Sequence, residues 1–209
     1  MNERLIELNR NQNVSEVDTY TTKRYTQFYK YIKNNHNKIL DFGCNTGRGG
    51  KVLKFLKEDL FLIGADVVKE RIDKIPLGIY NELIDLSVDE ISNKLKEIDV
   101  IVSGEVVEHI PFALLISYLK YFYEILPKNG ILMLTTPNPD SFLVKMGRNS
   151  VLSDPSHVNI MNRGFLKIIL LKLGFKKILI RGSGKATTYF GVNFPVFNVY
   201  GSYLVLAYK

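Results

Sequence analysis

The residues best equipped for chemistry begin at Asp41. The run Asp41-Phe42-Gly43-Cys44-Asn45-Thr46-Gly47-Arg48-Gly49 closes an apolar stretch and opens a helical one. Glycines at 43 and 47 let the backbone turn tightly and let a ligand approach main-chain amides that side chains would shield. The Gly-x-x-x-Gly spacing is not the Gly-x-Gly-x-x-Gly of dinucleotide folds, and the Lys-Ser/Thr pair of a phosphate-binding loop is missing. The loop is therefore expected to hold a nucleoside-like ligand without a pyrophosphate. Asp66 follows Asp41 by 25 residues at the end of a second apolar run, where a carboxylate can accept hydrogen bonds from both hydroxyls of a ribose. Asp85, in Leu83-Ile84-Asp85-Leu86, is placed to accept from an adenine amino group. Further on, Glu105-Val106-Val107-Glu108-His109-Ile110 and Ser156-His157-Val158-Asn159 each carry an imidazole. Imidazole titrates near neutral pH and serves as a general base where a hydroxyl must lose its proton. The third histidine, His36, lies in a polar run (NNHNK) and reads as a solvated turn residue.

Such groups need strands and helices to aim them. Residues 38–43 are a short apolar run ending in glycine, and 48–57 follow helical periodicity through Val52, Leu53 and Leu56. Residues 60–67 and 99–104 read as strands. Phe112, Leu115, Leu119, Phe122, Tyr123 and Leu126 recur at helical spacing until Pro127. After the Asn129-Gly130 turn, 131–135 is a strand, 165–173 a helix stopped by Gly174, and 177–181 and 202–208 are strands. Near-continuous apolar strands separated by helices argue for a parallel sheet covered on both faces. Two segments break the pattern. Residues 1–35 carry an aromatic, amphipathic helix (Tyr20, Tyr25, Phe28, Tyr29, Tyr31, Ile32), and 137–162 is a long loop rich in Pro, Asn, Ser and Asp. Long loops inside a domain are usually functional, so the acceptor pocket is expected between these two segments of one 209-residue domain.

Composition narrows the classes. With 46% hydrophobic and 23% charged residues, the chain is neither disordered nor fibrous. No run of 18 apolar residues occurs and the N-terminus is polar, against a membrane span or a secretory signal. The single Cys44 excludes an internal disulfide, and one cysteine with three histidines makes no Cys-rich metal cluster. A soluble cytoplasmic protein is expected. The net charge of +7 is unevenly spread: 16 Lys/Arg against 18 Asp/Glu in residues 1–119, and 12 against 3 in residues 120–209. No acid follows Asp154. That asymmetry points to an anionic partner or to a solvated basic face.

At the residues quoted above, the sequence resembles the class I S-adenosylmethionine-dependent methyltransferases over roughly residues 36–209. Asp41 to Gly47 matches the family's first motif, Asp66 its ribose-binding acid and Asp85 its adenine-side acid. Glu105 to Ile110, and Ser156-His157-Val158-Asn159 through Leu173-Gly174-Phe175, resemble the branch of the ubiquinone-biosynthesis O-methyltransferases. The resemblance implies a Rossmann-like, doubly wound α/β fold with helices on both faces. Its seven-stranded sheet is mostly parallel, with one antiparallel strand and the last strand beside the fifth. It implies S-adenosylmethionine as cofactor, held by Asp41, Gly43, Cys44, Asn45, Gly47, Asp66, Val67, Asp85, Leu86, Gly104 and Glu105, with Cys44 as a small filler. His109 and His157 are the candidate catalytic residues, and no metal is expected. The acceptor is expected to be a small anionic or glycan-like molecule methylated at oxygen. Two other readings stay open. Glu105, Glu108, His109 and His157 resemble the metal-binding set of the small-RNA 2′-O-methyltransferases, and a non-catalytic cofactor-binding protein would keep the same loop.

Overall fold

The computed structural model describes residues 3–11, 17, 19–88, 95–147 and 154–209. Seven strands form one sheet: β1 (Lys38–Phe42), β2 (Phe61–Asp66), β3 (Glu82–Asp85), β4 (Val100–Gly104), β5 (Ile131–Pro137), β6 (Lys177–Ser183) and β7 (Ser202–Tyr208). They pair in the order β3-β2-β1-β4-β5-β7-β6. The pairs from β3 to β5 are parallel, and β7 runs antiparallel to both its neighbours. The expected mixed sheet is therefore present, with the last strand beside the fifth.

Apolar residues in the inner strands face both ways, because helices cover both faces. Leu40 and Phe42 of β1 join one core, while Ile39 joins the other. β7 splits likewise, with Tyr203, Val205 and Ala207 on the first side and Leu204 and Leu206 on the second. Leu115, Leu119 and Phe122 of α5 (Phe112–Ile125) and Leu166, Ile169 and Leu170 of α7 (Arg163–Lys172) cover the first core. Tyr25 and Phe28 of α2 (Tyr20–Tyr29) and Leu53 of α3 (Arg48–Leu56) cover the second. Among the described residues, no helix is long and apolar enough to cross a membrane.

Several boundaries differ from the sequence pattern. β5 and β6 each run two residues beyond the expected end, to Pro137 and Ser183, because β7 pairs with both over their full length. The amphipathic N-terminal helix stops at Tyr29, and Tyr31 and Ile32 pack on the core from the turn after it. His36 is buried, not solvated: it is 5% exposed, and its Nδ1 accepts a bond from the Lys33 amide at 3.3 Å. The expected loop 137–162 begins as the end of β5 and a short helix α6 (Phe142–Lys145), and its residues 148–153 lie outside the described residues.

α2 reaches the sheet because α3 makes room. A Cβ on Gly49 would stand 2.0 Å from the Tyr25 ring, so the ring occupies the space where a side chain would be. Gly49→Val should unseat α2, lowering stability by about 1–3 kcal/mol and exposing Lys23 and Arg24 to trypsin. Tryptic cleavage at the parent rate would show that α2 docks without this contact.

Candidate active site

The strand order reverses at β1, whose sheet neighbours β2 and β4 pair on opposite sides. A switch point of this kind leaves a crevice at the C-terminal strand ends. A cavity lies there, lined by the loop after β1, by Asp66 and Val67 at the end of β2, by Leu86 after β3, and by Gly104, Glu105, Val106, His109 and Ile110 at the end of β4. α2 closes its upper side with Thr21, Arg24 and Tyr25.

Gly43 begins the loop with φ of 81°, and a Cβ there would lie 2.3 Å from Val106. Only glycine satisfies both the left-handed backbone and the close pass. The Gly43 and Cys44 amides both donate to the Ala65 carbonyl, at 2.7 and 3.1 Å, which fixes the loop to β2. Asp66 holds it from the other side: its Oδ2 accepts from the Asn45 amide at 2.8 Å and its Oδ1 from the Val68 amide at 2.9 Å. Burial pushes the Asp66 carboxyl above its ordinary value, against the lowering by those amides. Each oxygen keeps a second lone pair for a ligand hydroxyl. Asn45 is itself left-handed at φ 52°, and its Oδ1 is buried with no hydrogen-bond partner among the described residues. An orphaned acceptor beside a carboxylate fits the hydroxyl-rich nucleoside of S-adenosylmethionine.

Asp41 is on the far side of the loop from the cavity. Its carboxylate accepts from Tyr25 Oη and Tyr80 Oη, both at 2.5 Å. Burial raises it from 3.8 to about 6, while the two phenol bonds lower it.

After β4 the chain turns through Glu105, a non-glycine residue at φ 57°. Left-handed backbone at such a position is strained and clusters at functional sites. Glu105 faces Arg24 Nη2 at 3.8 Å and accepts from Ser202 Oγ at 3.3 Å. One 3₁₀ turn (Val107–His109) follows. Glu108 accepts from Thr136 Oγ1 at 3.0 Å, and burial raises its carboxyl well above the usual range, with Glu105 adding to the rise. His109 Nδ1 lies 3.1 Å from the Ser156 carbonyl. A carbonyl only accepts, so Nδ1 carries the proton and the neutral ring has its basic lone pair on Nε2. Burial, and the nearby His157, lower His109 to about 4. The rings of His109 and His157 are 4.7 Å apart, and Glu108, His109 and His157 offer ligand atoms within 4.8 Å of one another.

Of the residues expected at the cofactor, Gly43, Cys44, Asn45, Asp66, Val67, Leu86, Gly104 and Glu105 line the cavity. Three do not. Asp41 backs the loop, and Gly47 starts α3 facing Ile75. Asp85 folds onto its own turn, accepting from the Ser87 amide and hydroxyl at 2.9 and 2.5 Å. Local capping of this kind competes with any outward role. Of the histidines, His109 lines the cavity and His157 stands behind it, 3.8 Å from Asp154. A second cleft is bounded by α2 and residues 183–202, and among the described residues of 137–162 it is lined by Pro137 and Leu143. The sequence reading missed Thr21, Arg24 and Tyr80. The tyrosine density of α2 marked the helix, but nothing local marked which of its polar residues face inward.

A glycine loop at the switch point of this seven-stranded order, with an acid closing the second strand, defines a class I S-adenosylmethionine-dependent methyltransferase. Residues 15–180 match the methyltransferase-domain family model, and the chain belongs to that family. It is an enzyme, which removes the non-catalytic reading. No curated protein matches the sequence. Solved structures do. A SAM-dependent methyltransferase from Archaeoglobus fulgidus is 21% identical with TM-score 0.71, and each chain is covered in full. The small RNA methyltransferase HEN1 is 18% identical with TM-score 0.68, covering 95% of this chain and 27% of its own. Magnesium protoporphyrin IX methyltransferase from Synechocystis, with bound SAH, is 13% identical with TM-score 0.64, covering 99% and 93%. At these identities the likeness is one of fold.

Two measurements follow from the geometry. Asp66→Ala should weaken S-adenosylmethionine binding by roughly 1–3 kcal/mol in calorimetry, and unchanged affinity would remove the ribose role. For Asp41 the folded pKa lies above the unfolded one, so the folded state binds the extra proton. Its contribution is complete below about pH 4 and is lost as pH rises through about 6, a change of about 3 kcal/mol. Chemical unfolding across that window should show the loss in the parent and not in Asp41→Asn. Parallel curves would place the charge elsewhere.

Proposed function

We propose that this enzyme methylates a hydroxyl oxygen of a small acceptor, in the manner of the ubiquinone-biosynthesis-type O-methyltransferases it resembles. The observation that carries this reading is His109, an imidazole on the cavity wall whose Nδ1 is tied to a backbone carbonyl. When bound, S-adenosylmethionine supplies a methyl group already activated by its sulfonium. Asp66 and the Gly43–Asn45 backbone hold its nucleoside, while Val67 and Leu86 give that end an apolar wall. What remains for the protein is position and a proton. Alignment of nucleophile and methyl carbon can supply roughly 7–11 kcal/mol of the barrier. His109 Nε2 takes the hydroxyl proton, and the Asp154 carboxylate, whose charge raises the His109 pKa, steadies the imidazolium that results. His157 packs against His109 and positions it.

One specific observation favours a second reading. The Glu108, His109 and His157 ligand atoms lie close enough together to share a divalent cation, and one carboxylate with two imidazoles suits a transition-metal ion such as Mn²⁺ better than Mg²⁺. HEN1, a small RNA methyltransferase, is among the structural relatives, so this reading moves the acceptor toward RNA.

His109→Ala should lower kcat by about 10²–10⁴-fold with cofactor affinity retained. Because His109 is already neutral at pH 5.5, kcat at saturating cofactor should stay level from pH 8 to 5.5. A midpoint near 6.5 would assign the base to another group. Full turnover in excess chelator supports the base, and recovery only on adding Mn²⁺ supports the cation.

A further inference from the structure

Beside the cofactor cavity lies a second, larger one of about 1070 Å³, between α2 and the chain from the end of β6 to the start of β7. It is large enough for a ligand well beyond a single sugar ring. The two cavities share Thr21, Arg24 and Glu105, so the strained turn after β4 is the neck between them. The walls are held at fixed separation. At the floor, Gln27 Nε2 donates to the Gly182 carbonyl at 2.8 Å, and Ser183 Oγ donates to Gln27 Oε1 at 3.0 Å. At the mouth, Lys23 Nζ reaches Thr188 Oγ1 at 3.3 Å. The lining carries Lys23, Arg24, Lys30 and Lys185 against one carboxylate, Glu105. Glu105 is engaged by Arg24 and Ser202 at the neck, which leaves the lysines of the outer part without a matching acid in the lining. Tyr20, Leu143, Val192 and Val199 give the same cleft an apolar surface.

We propose that this cleft is an anion subsite for the acceptor, in which Lys23, Lys30 and Lys185 hold a phosphate or carboxylate while the reacting hydroxyl lies at the Glu105 neck. The assignment rests on the methyl-transfer reading above. It also relocates the sequence's anionic-partner signal: Lys23 lies on α2 and Lys30 directly follows it, outside the basic C-terminal third. Charges confined between two walls focus the field into the cleft more strongly than the same charges spread over a convex face.

The test uses the full chain with inorganic phosphate and citrate as probes, titrated with and without saturating S-adenosylmethionine. Lys30→Gln/Lys185→Gln should weaken the better probe by about five- to tenfold at low salt, with cofactor affinity and thermal stability unchanged. Lys167→Gln/Lys176→Gln, on α7 and just before β6, should leave probe binding as in the parent. Preference for phosphate over citrate assigns a phosphorylated acceptor, and the reverse a carboxylated one. Equal loss in both double variants, or no binding of either probe to the parent, overturns the subsite. Failure of the parent to bind S-adenosylmethionine would instead overturn the methyl-transfer reading, and is read separately in the same titrations.

Discussion

A carboxylate at the end of the central strand, wholly removed from water, governs the architecture of the site. Burying an unpaired carboxylate costs several kcal/mol, and Asp41 is tolerated there because Tyr25 and Tyr80 bring hydroxyls to its two oxygens at 2.5 Å. Those tyrosines come from α2 and from the connection before β3, two parts of the chain that share no strand pairing. Tyr80 Oη also accepts from the Gly50 amide at 3.2 Å, so the start of α3 is drawn to the same point. The N-terminal helix, the glycine loop and the β2–β3 connection thus meet behind the cofactor cavity, around one charge.

The other end of the cavity is held by a different kind of link. Residues 156–159 lie along the turn after β4: the Asn159 amide donates to the Glu108 carbonyl at 3.0 Å, and Asn159 Nδ2 to the Ile110 carbonyl at 3.3 Å. With the His109 ring bonded to Ser156, the imidazole is fixed by backbone from a segment far along the chain. Ser103 Oγ, Thr135 Oγ1 and Glu108 Oε1 are buried nearby without hydrogen-bond partners among the described residues.

α2 belongs to both halves. Its Tyr25 backs the glycine loop, its Arg24 faces the neck, and its Gln27 and Lys23 tie to the far wall of the second cleft. A single ten-residue helix therefore sets the shape of both cavities at once, and its seat depends on the absent side chain of Gly49.

The local signals were legible in the sequence because they depend on local rules. Apolar runs gave the strands, helical spacing gave α3, α5 and α7, and the need for positive φ at Gly43 marked the ligand loop. Asp66 was legible as a strand-terminal acid after such a loop, and it lines the cavity. Facing was not legible. Inner strands buried on both faces show no alternation, so nothing in the pattern put Asp41 behind the loop and Asp66 inside it. Asp85 turned to Ser87, whose amide and hydroxyl two residues away cap its carboxylate. His36 became buried, and His109 fell to about 4 instead of the neutral range, because desolvation is set by what packs around a side chain. The sequence by itself determined which residue types stand at the ends of which strands. Which of them meet, and with what charge, was decided by contacts such as Tyr25 with Asp41 and Ser156 with His109, whose partners only the folded sheet brings together.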